Sequence, residues 1–238
     1  MISERKLVSS HSSFWRNLMP MADAFTRNMN STLTRALPPL ESSFKGVRNS
    51  LISELSFRLY TYHCNEDFSL EKLLGDKDRL TILKDDVHRY IARLEKSETE
   101  LTGFSEEEVV ASALLTLRLR KCMNYINPGK NVVTKPIFIG CGIVDNCEGD
   151  ILTGSTLYEL KNVERDFRLA DIRQLLAYCA LNHESRQYLI DSVGLVNARS
   201  GLTYRIELDK LSYLTAGVSS SELFSDITRY ITADTPSR

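Results

Sequence analysis

The sequence predicts an α/β protein: a mixed β-sheet core flanked by helices, with a helical N-terminal region in front of it. Three observations carry that prediction. Residues 47–60 and 83–94 repeat apolar side chains at helical spacing, and a capping-box pattern opens a further helix at Ser105. The chain then breaks at Asn127-Pro128-Gly129-Lys130, a turn composition. Beyond the break, short apolar and alternating runs surround one helix-period stretch at residues 169–182, in the order strand, strand, strand, helix, strand, strand. The expected division is a helical region over residues 1–130 and a sheet-based core over residues 131–238.

Taken in order, the segment up to Ser50 is rich in Ser, Asn and Thr, carries Pro20, Pro38 and Pro39, and reads as short helices or an arm. In residues 47–60, Leu51, Leu55 and Leu59 stand four apart beside Ile52, which makes an amphipathic helix. Ser69 opens another, and Leu83, Val87, Tyr90, Ile91 and Leu94 form the stripe of a third. Ser105 and Glu108 match a capping box, so a helix should start there and run to about Tyr125. The apolar run Pro136 to Val144 reads as one buried strand, ended by the Asp145-Asn146 turn. Runs at 192–197 and 202–208 read as a hairpin around Ala198-Arg199-Ser200-Gly201. Ser219 and Glu222 suggest a second capping box, with a final helix to Tyr230 and a frayed tail from Thr232.

Composition narrows the function classes. With 42% hydrophobic and 26% charged residues and no long apolar run, the chain reads as an ordinary soluble protein rather than a membrane protein. The N-terminus lacks an apolar signal segment, so the cytoplasm is the expected compartment. Cys64, Cys122, Cys141, Cys147 and Cys179 are odd in number and scattered, which argues against a disulfide framework, and none forms a Cys-x-x-Cys zinc pair. The formal net charge is −1, so nucleic acid would have to be held by local positive groups rather than a global basic field. Candidates are Arg118, Arg120 and Lys121, then Lys130 and Lys135, then Arg165, Arg168 and Arg173.

The chemistry concentrates between Gly149 and Leu181. Asp150 precedes Thr153-Gly154-Ser155-Thr156, a turn between two strands, and Glu159-Leu160-Lys161 follows it. A hairpin brings Asp150 near Glu159. Alternation along the second strand puts Glu159 and Lys161 on one face and Leu160 on the other. Two carboxylates and an ammonium inside a sheet must be paired or metal-bound. Magnesium, which takes one or two carboxylates plus waters and substrate phosphate oxygens, suits Asp150, Glu159 and the Leu160 carbonyl. On the following helix Gln174 and Tyr178 lie one turn apart on one face.

Gly149-Asp150, Glu159-Leu160-Lys161 and Gln174-x-x-x-Tyr178, in that order, resemble the PD-(D/E)XK nuclease superfamily, in particular its RecB-like branch. The resemblance spans roughly residues 136–209. It implies a restriction-endonuclease-like mixed sheet and a Mg2+- or Mn2+-dependent deoxyribonuclease. Asp150, Glu159 and Leu160 would hold the metal, Lys161 would orient the attacking water, and Gln174 and Tyr178 would order the site. It also implies DNA as the favoured substrate over RNA, while the near-neutral charge suits a nuclease recruited by a partner subunit or working as a homo-oligomer, in a setting such as phage defence or restriction. Members of the branch often carry a histidine ahead of the Gly-Asp, for which His63 and His88 are candidates, and an acidic residue on a preceding helix, for which Glu54 is one; ordinary helix residues are the simpler reading of all three. With only Cys179 after the Glu-Leu-Lys strand, no iron-sulfur cluster is expected. The competing reading is an inactive nuclease-fold subunit that binds nucleic acid or a protein.

Overall fold

A computed structural model describes residues 1–40, 48–66, 69–95, 103–129 and 131–233. Val47, Lys130, the tail 234–238 and the side chain of Leu94, all used in the sequence reading, lie outside the described residues. The described residues form ten helices and a six-stranded mixed sheet, with a helical N-terminal region.

Three short helices come first: α1 (Glu4–Ser10), α2 (Ser12–Leu18) and α3 (Ala22–Ser31). Ser3 caps α1 by accepting a hydrogen bond from the Lys6 N–H at 3.2 Å. Strand β1 (Thr34–Arg35) leads to α4 (Asn49–Glu66), α5 (Leu70–Gly75), α6 (Lys77–Glu95) and α7 (Glu106–Ile126). The predicted helices therefore exist, and the Ser105/Glu108 capping box forms in both directions. Glu108 does more than cap: its carboxylate also receives the Arg48 side chain at 2.6 Å, tying the start of α4 to the start of α7.

After the Asn127-Pro128-Gly129 break come β2 (Val132–Thr134), β3 (Ile137–Phe138), β4 (Cys147–Glu148), β5 (Ile151–Thr153) and β6 (Thr156–Leu160), then α8 (Leu169–Ser185), β7 (Ser192–Asn197), β8 (Leu202–Glu207), α9 (Leu208–Ala216) and α10 (Ser220–Ala233). The large sheet has the order β1-β8-β7-β6-β5-β2. β5 and β6 are an antiparallel hairpin whose turn residue Gly154 takes φ +59°, the left-handed region that a tight turn needs. β6 and β7 are parallel, and α8 is the crossover that such a pair requires.

The sheet is covered on both faces. α8 with α1, α3 and α10 buries Leu157, Leu176, Trp15 and Ile227 on one side; α4 with α7 buries Ile52, Leu115, Tyr158 and Val196 on the other. These cores unite residues from both sides of position 130. The first segment opens with short helices, as expected, and these together with Met19 in the link between α2 and α3 contribute Leu7, Trp15, Met19 and Phe25 to the same core as α8.

Three local expectations need correction. Residues 136–144 are not one strand. Only the two residues of β3 are extended and paired, and the chain folds back at Gly140, where a Cβ would stand 2.4 Å from the Val144 carbonyl oxygen. Phe138 and Val144 are buried, whereas Ile137 and Ile139 are half exposed, so the apolar run serves two faces of a turn. The strand that extends the sheet is β2, just upstream. The second hairpin strand ends at Glu207, and α9 begins at the next residue without any breaker. α10 runs through Thr232 to Ala233.

Candidate active site

Local structure brings the five predicted side chains together. One step beyond the Ile151–Tyr158 pair, the β5–β6 register sets Asp150 opposite Glu159. The Leu160 N–H donates to Asp150 Oδ2 at 2.7 Å, which fixes that carboxylate across the hairpin. Glu159 and Lys161 share a face as alternation requires: Lys161 Nζ donates to Glu159 Oε1 at 2.7 Å. The same ammonium donates to Gln174 Oε1 at 3.0 Å, and Asp171 Oδ1 lies 3.7 Å away. Gln174 Nε2 donates to the Tyr178 hydroxyl at 2.8 Å, and that hydroxyl donates in turn to Glu4 Oε1 at 3.4 Å. Helical spacing explains the Gln174–Tyr178 contact. Contact with Glu4 depends on α1 docking against α8.

The electrostatics follow from burial. Glu159 is 2% exposed, and burial together with the neighbouring Asp150 charge pushes its carboxyl up to about 8 despite Lys161. Burial also raises Asp150, against the pull of the Leu160 N–H. For Lys161 burial acts against the charged form, but Glu159 and Asp171 outweigh it and hold the amine above its ordinary value. Tyr178 is raised by burial and by Glu159 and Glu4, so its hydroxyl stays protonated.

One atom is left over. Glu159 Oε2 is buried and has no hydrogen-bond partner. An orphaned carboxylate oxygen beside a second carboxylate calls for a proton or a cation, and these acids fit a hard divalent ion. Among the described residues no group of three or more His, Cys, Asp or Glu side chains stands ready to hold a metal. Asp150 and Glu159 supply two carboxylates, within the number magnesium takes when waters and phosphate oxygens complete its shell.

The acids open onto a cleft of about 200 Å³ that Leu160 and Asn162 also line, so the site has an access route. Glu54, expected to be an ordinary exposed helix carboxylate, instead lines this cleft, its side chain 16% exposed and paired with Arg58 at 2.8 Å. Neither His63 nor His88 lines it; His88 stacks on Phe104. Of the basic residues named near the site, Arg165 is committed to Asp171 at 2.9 Å and Arg173 lies over the Trp15 ring, while Arg168 remains exposed. Farther off, Lys135 pairs with Glu148 at 3.6 Å and Arg118 donates to the Ala198 carbonyl at 2.8 Å.

Sequence reasoning missed Glu4, Arg5 and Tyr90. Arg5 and Tyr90 line the cleft, and Glu4 ends the hydrogen-bonded chain from Lys161. Tyr90 is visible in the sequence only as one member of the α6 apolar stripe, and no local pattern marks Glu4 or Arg5. Among the described residues no helix is long and apolar enough to cross a membrane. No known protein-family model matches the chain, and no curated protein matches it either.

Proposed function

We propose that the protein is a metal-dependent nuclease of the PD-(D/E)XK type, with a restriction-endonuclease-like core, that hydrolyses phosphodiester bonds in DNA in the cytoplasm. The observation that carries this reading is the convergence of Asp150, Glu159 and Lys161 on one cleft, with an unsatisfied Glu159 oxygen facing no protein donor. The hairpin, crossover helix and parallel strand also agree with such a core.

Asp150 and Glu159 would hold Mg2+ or Mn2+, and the bound ion supplies a Lewis acid that polarises the phosphate and acidifies a water. Lys161 offers its ammonium to the developing charge on the phosphate and helps aim the attacking water. Gln174 fixes the Lys161 amine, and Tyr178 fixes Gln174, so the amine keeps one position through the reaction. Phage defence or restriction, through a partner subunit or a homo-oligomer, is the setting in which a nuclease of near-neutral net charge would work.

A second reading, an inactive subunit that binds nucleic acid or protein, is favoured by the burial of Glu159 Oε2, which an ion must reach from the cleft. One experiment separates the two: incubation of plasmid DNA and of a single-stranded oligonucleotide with wild type and Lys161→Ala, with magnesium, with manganese and with chelator. Cutting by wild type that needs the metal and Lys161 supports the nuclease. Equal cutting by both proteins sinks the assigned roles, and none by either favours the inactive subunit.

A further inference from the structure

Arg5 stands between two cavities. On one side is the acid cleft of about 200 Å³; on the other is a larger cavity of about 570 Å³, walled by Ser3, Glu4, Ile137, Asn146, Cys147 and Glu148. Arg5 and Tyr90 line both. The sizes discriminate between occupants. Cavities that engulf a small molecule measure roughly 300–1,000 Å³, so the larger one can admit a nucleoside while the acid cleft holds little more than a phosphate and an ion.

The linings agree with that division. The Arg5 side chain is 55% exposed, its Nε lies 3.5 Å from Glu4 Oε1, and its guanidinium interacts with the Tyr90 hydroxyl. A planar fork held at the mouth of an acidic cleft matches phosphate oxygens, which a point-charge lysine matches less well. The larger cavity combines an aromatic ring from Tyr90, the half-exposed Ile137, the Asn146 amide, whose Oδ1 already accepts from the Gly140 N–H at 2.7 Å, and the Glu4 and Glu148 carboxylates, which can accept from the amino groups of a base. A base paired in a duplex cannot enter such a cavity.

We infer that Arg5 and Tyr90 clamp one unpaired nucleotide beside the scissile phosphate, with Arg5 on the phosphate and Tyr90 against the base, so that the substrate class is single-stranded DNA or a frayed end. The inference rests on the phosphodiesterase reading of the cleft. It adds a substrate preference, and two residues that set it, to that reading.

The test is fluorescence anisotropy in chelator, which removes cleavage, using a labelled oligothymidylate and a blunt duplex of equal length. Wild type should favour the single strand. Arg5→Gln should weaken binding about tenfold, the loss of one hydrogen-bonded charge contact, and should lower the salt slope by about 0.7. Arg5→Lys should fall in between, and Tyr90→Leu, which keeps α6 apolar, should lose the preference for the single strand. Thermal melts of each variant separate loss of fold from loss of clamp. Equal binding of duplex and single strand, no binding by wild type, or an Arg5→Gln protein with unchanged affinity and salt slope overturns the inference. Arg5-dependent binding without Lys161-dependent cleavage would instead sink hydrolysis and leave the clamp. Cleavage with binding indifferent to Arg5 would sink the clamp and leave hydrolysis.

Discussion

Glu159 gives one oxygen to Lys161, at 2.7 Å, and holds the other in the interior with no partner. The pair is therefore half satisfied. A lysine drawn this tightly to a buried carboxylate costs desolvation of both groups, and the cost is sensible only if something else enters to use the second oxygen. Gln174 and Asp171 hold the amine from the other side, so Lys161 stays in place when Glu159 acquires a further ligand.

Replacing Lys161 tests that arrangement. Lys161→Met leaves Glu159 without its only described ion-pair partner, whereas Asp171 still has Arg165. Breaking a buried pair from one side typically costs about 3 kcal/mol. Glu159 can take up a proton, so urea melts should show that figure or somewhat less. Metal-dependent DNA cutting should drop by about 100-fold or more, as when a charge-stabilising donor is removed. A Lys161→Met protein that cuts at the wild-type rate contradicts the lysine's role.

The pH dependence of metal-free stability follows from Glu159. Its folded value, about 8, lies above the ordinary carboxyl value of 4.5. The folded state therefore binds the proton more tightly than the unfolded chain. Its contribution is fully present below about 4.5, declines as pH rises, and is gone above about 8, with a slope of at most about 1.4 kcal/mol per pH unit. Glu159→Gln, a neutral isostere, should reduce the slope across that window to what Asp150, also raised by burial, contributes, and should match or exceed wild-type stability at pH 8. Chemical denaturation in chelator between these limits checks it; a wild-type profile parallel to that of the glutamine variant rules out the buried protonation.

Gln174 and Tyr178 act through the amine. Tyr178→Phe removes the hydroxyl that accepts from Gln174 Nε2, at a stability cost of about 1 kcal/mol. Gln174 then loses its anchor, and Lys161 is held less firmly. The expected kinetic result is a fall in kcat with KM little changed, larger for Gln174→Leu than for Tyr178→Phe, because Gln174 touches the amine directly. A change confined to KM would show that these residues contact substrate instead.

The parts of the site that were legible in the sequence are those set by short-range geometry. Alternation joins Glu159 to Lys161, a two-residue turn with Gly154 sets Asp150 opposite Glu159, and helical spacing joins Gln174 to Tyr178. Each relation spans a few residues and needs no knowledge of the rest of the fold. Arg5 and Tyr90 reach the cleft only because α1 and α6 dock there, which no local pattern encodes. The run from Pro136 to Val144 misled for a related reason. Hydrophobicity reported burial of Phe138 and Val144, but the crowding at Gly140 that folds the chain back is tertiary. α9 escaped because β8 passes directly into it, with Glu207 as cap and no Gly or Pro between them.

Glu108 should oppose Glu159 in its effect on stability. The Arg48 guanidinium, with backbone N–H groups of Arg48 and Ser105, holds the Glu108 carboxyl at about 2, below its ordinary 4.5. Its stabilisation is complete above about 4.5 and is lost as pH falls toward 2. Glu108→Gln keeps the size of the side chain but loses the charge on which three hydrogen bonds from Arg48 converge. That should cost about 3 kcal/mol at neutral pH and little at the acid end, so the mutant and wild-type profiles should close on each other as pH drops. Because Glu159 destabilises the metal-free protein toward alkaline pH while Glu108 does so toward acid, wild type should be most stable in between. The Glu159→Gln protein should be altered only on the alkaline limb, and the Glu108→Gln protein only on the acid limb. Urea melts across pH on the two variants and their double mutant measure both limbs. Glu108 is held by Arg48 and Glu159 by Lys161, two separate ion pairs, so the double mutant should show the sum of the two effects. A double mutant in which either limb is as steep as in wild type would mean that a different buried acid sets it.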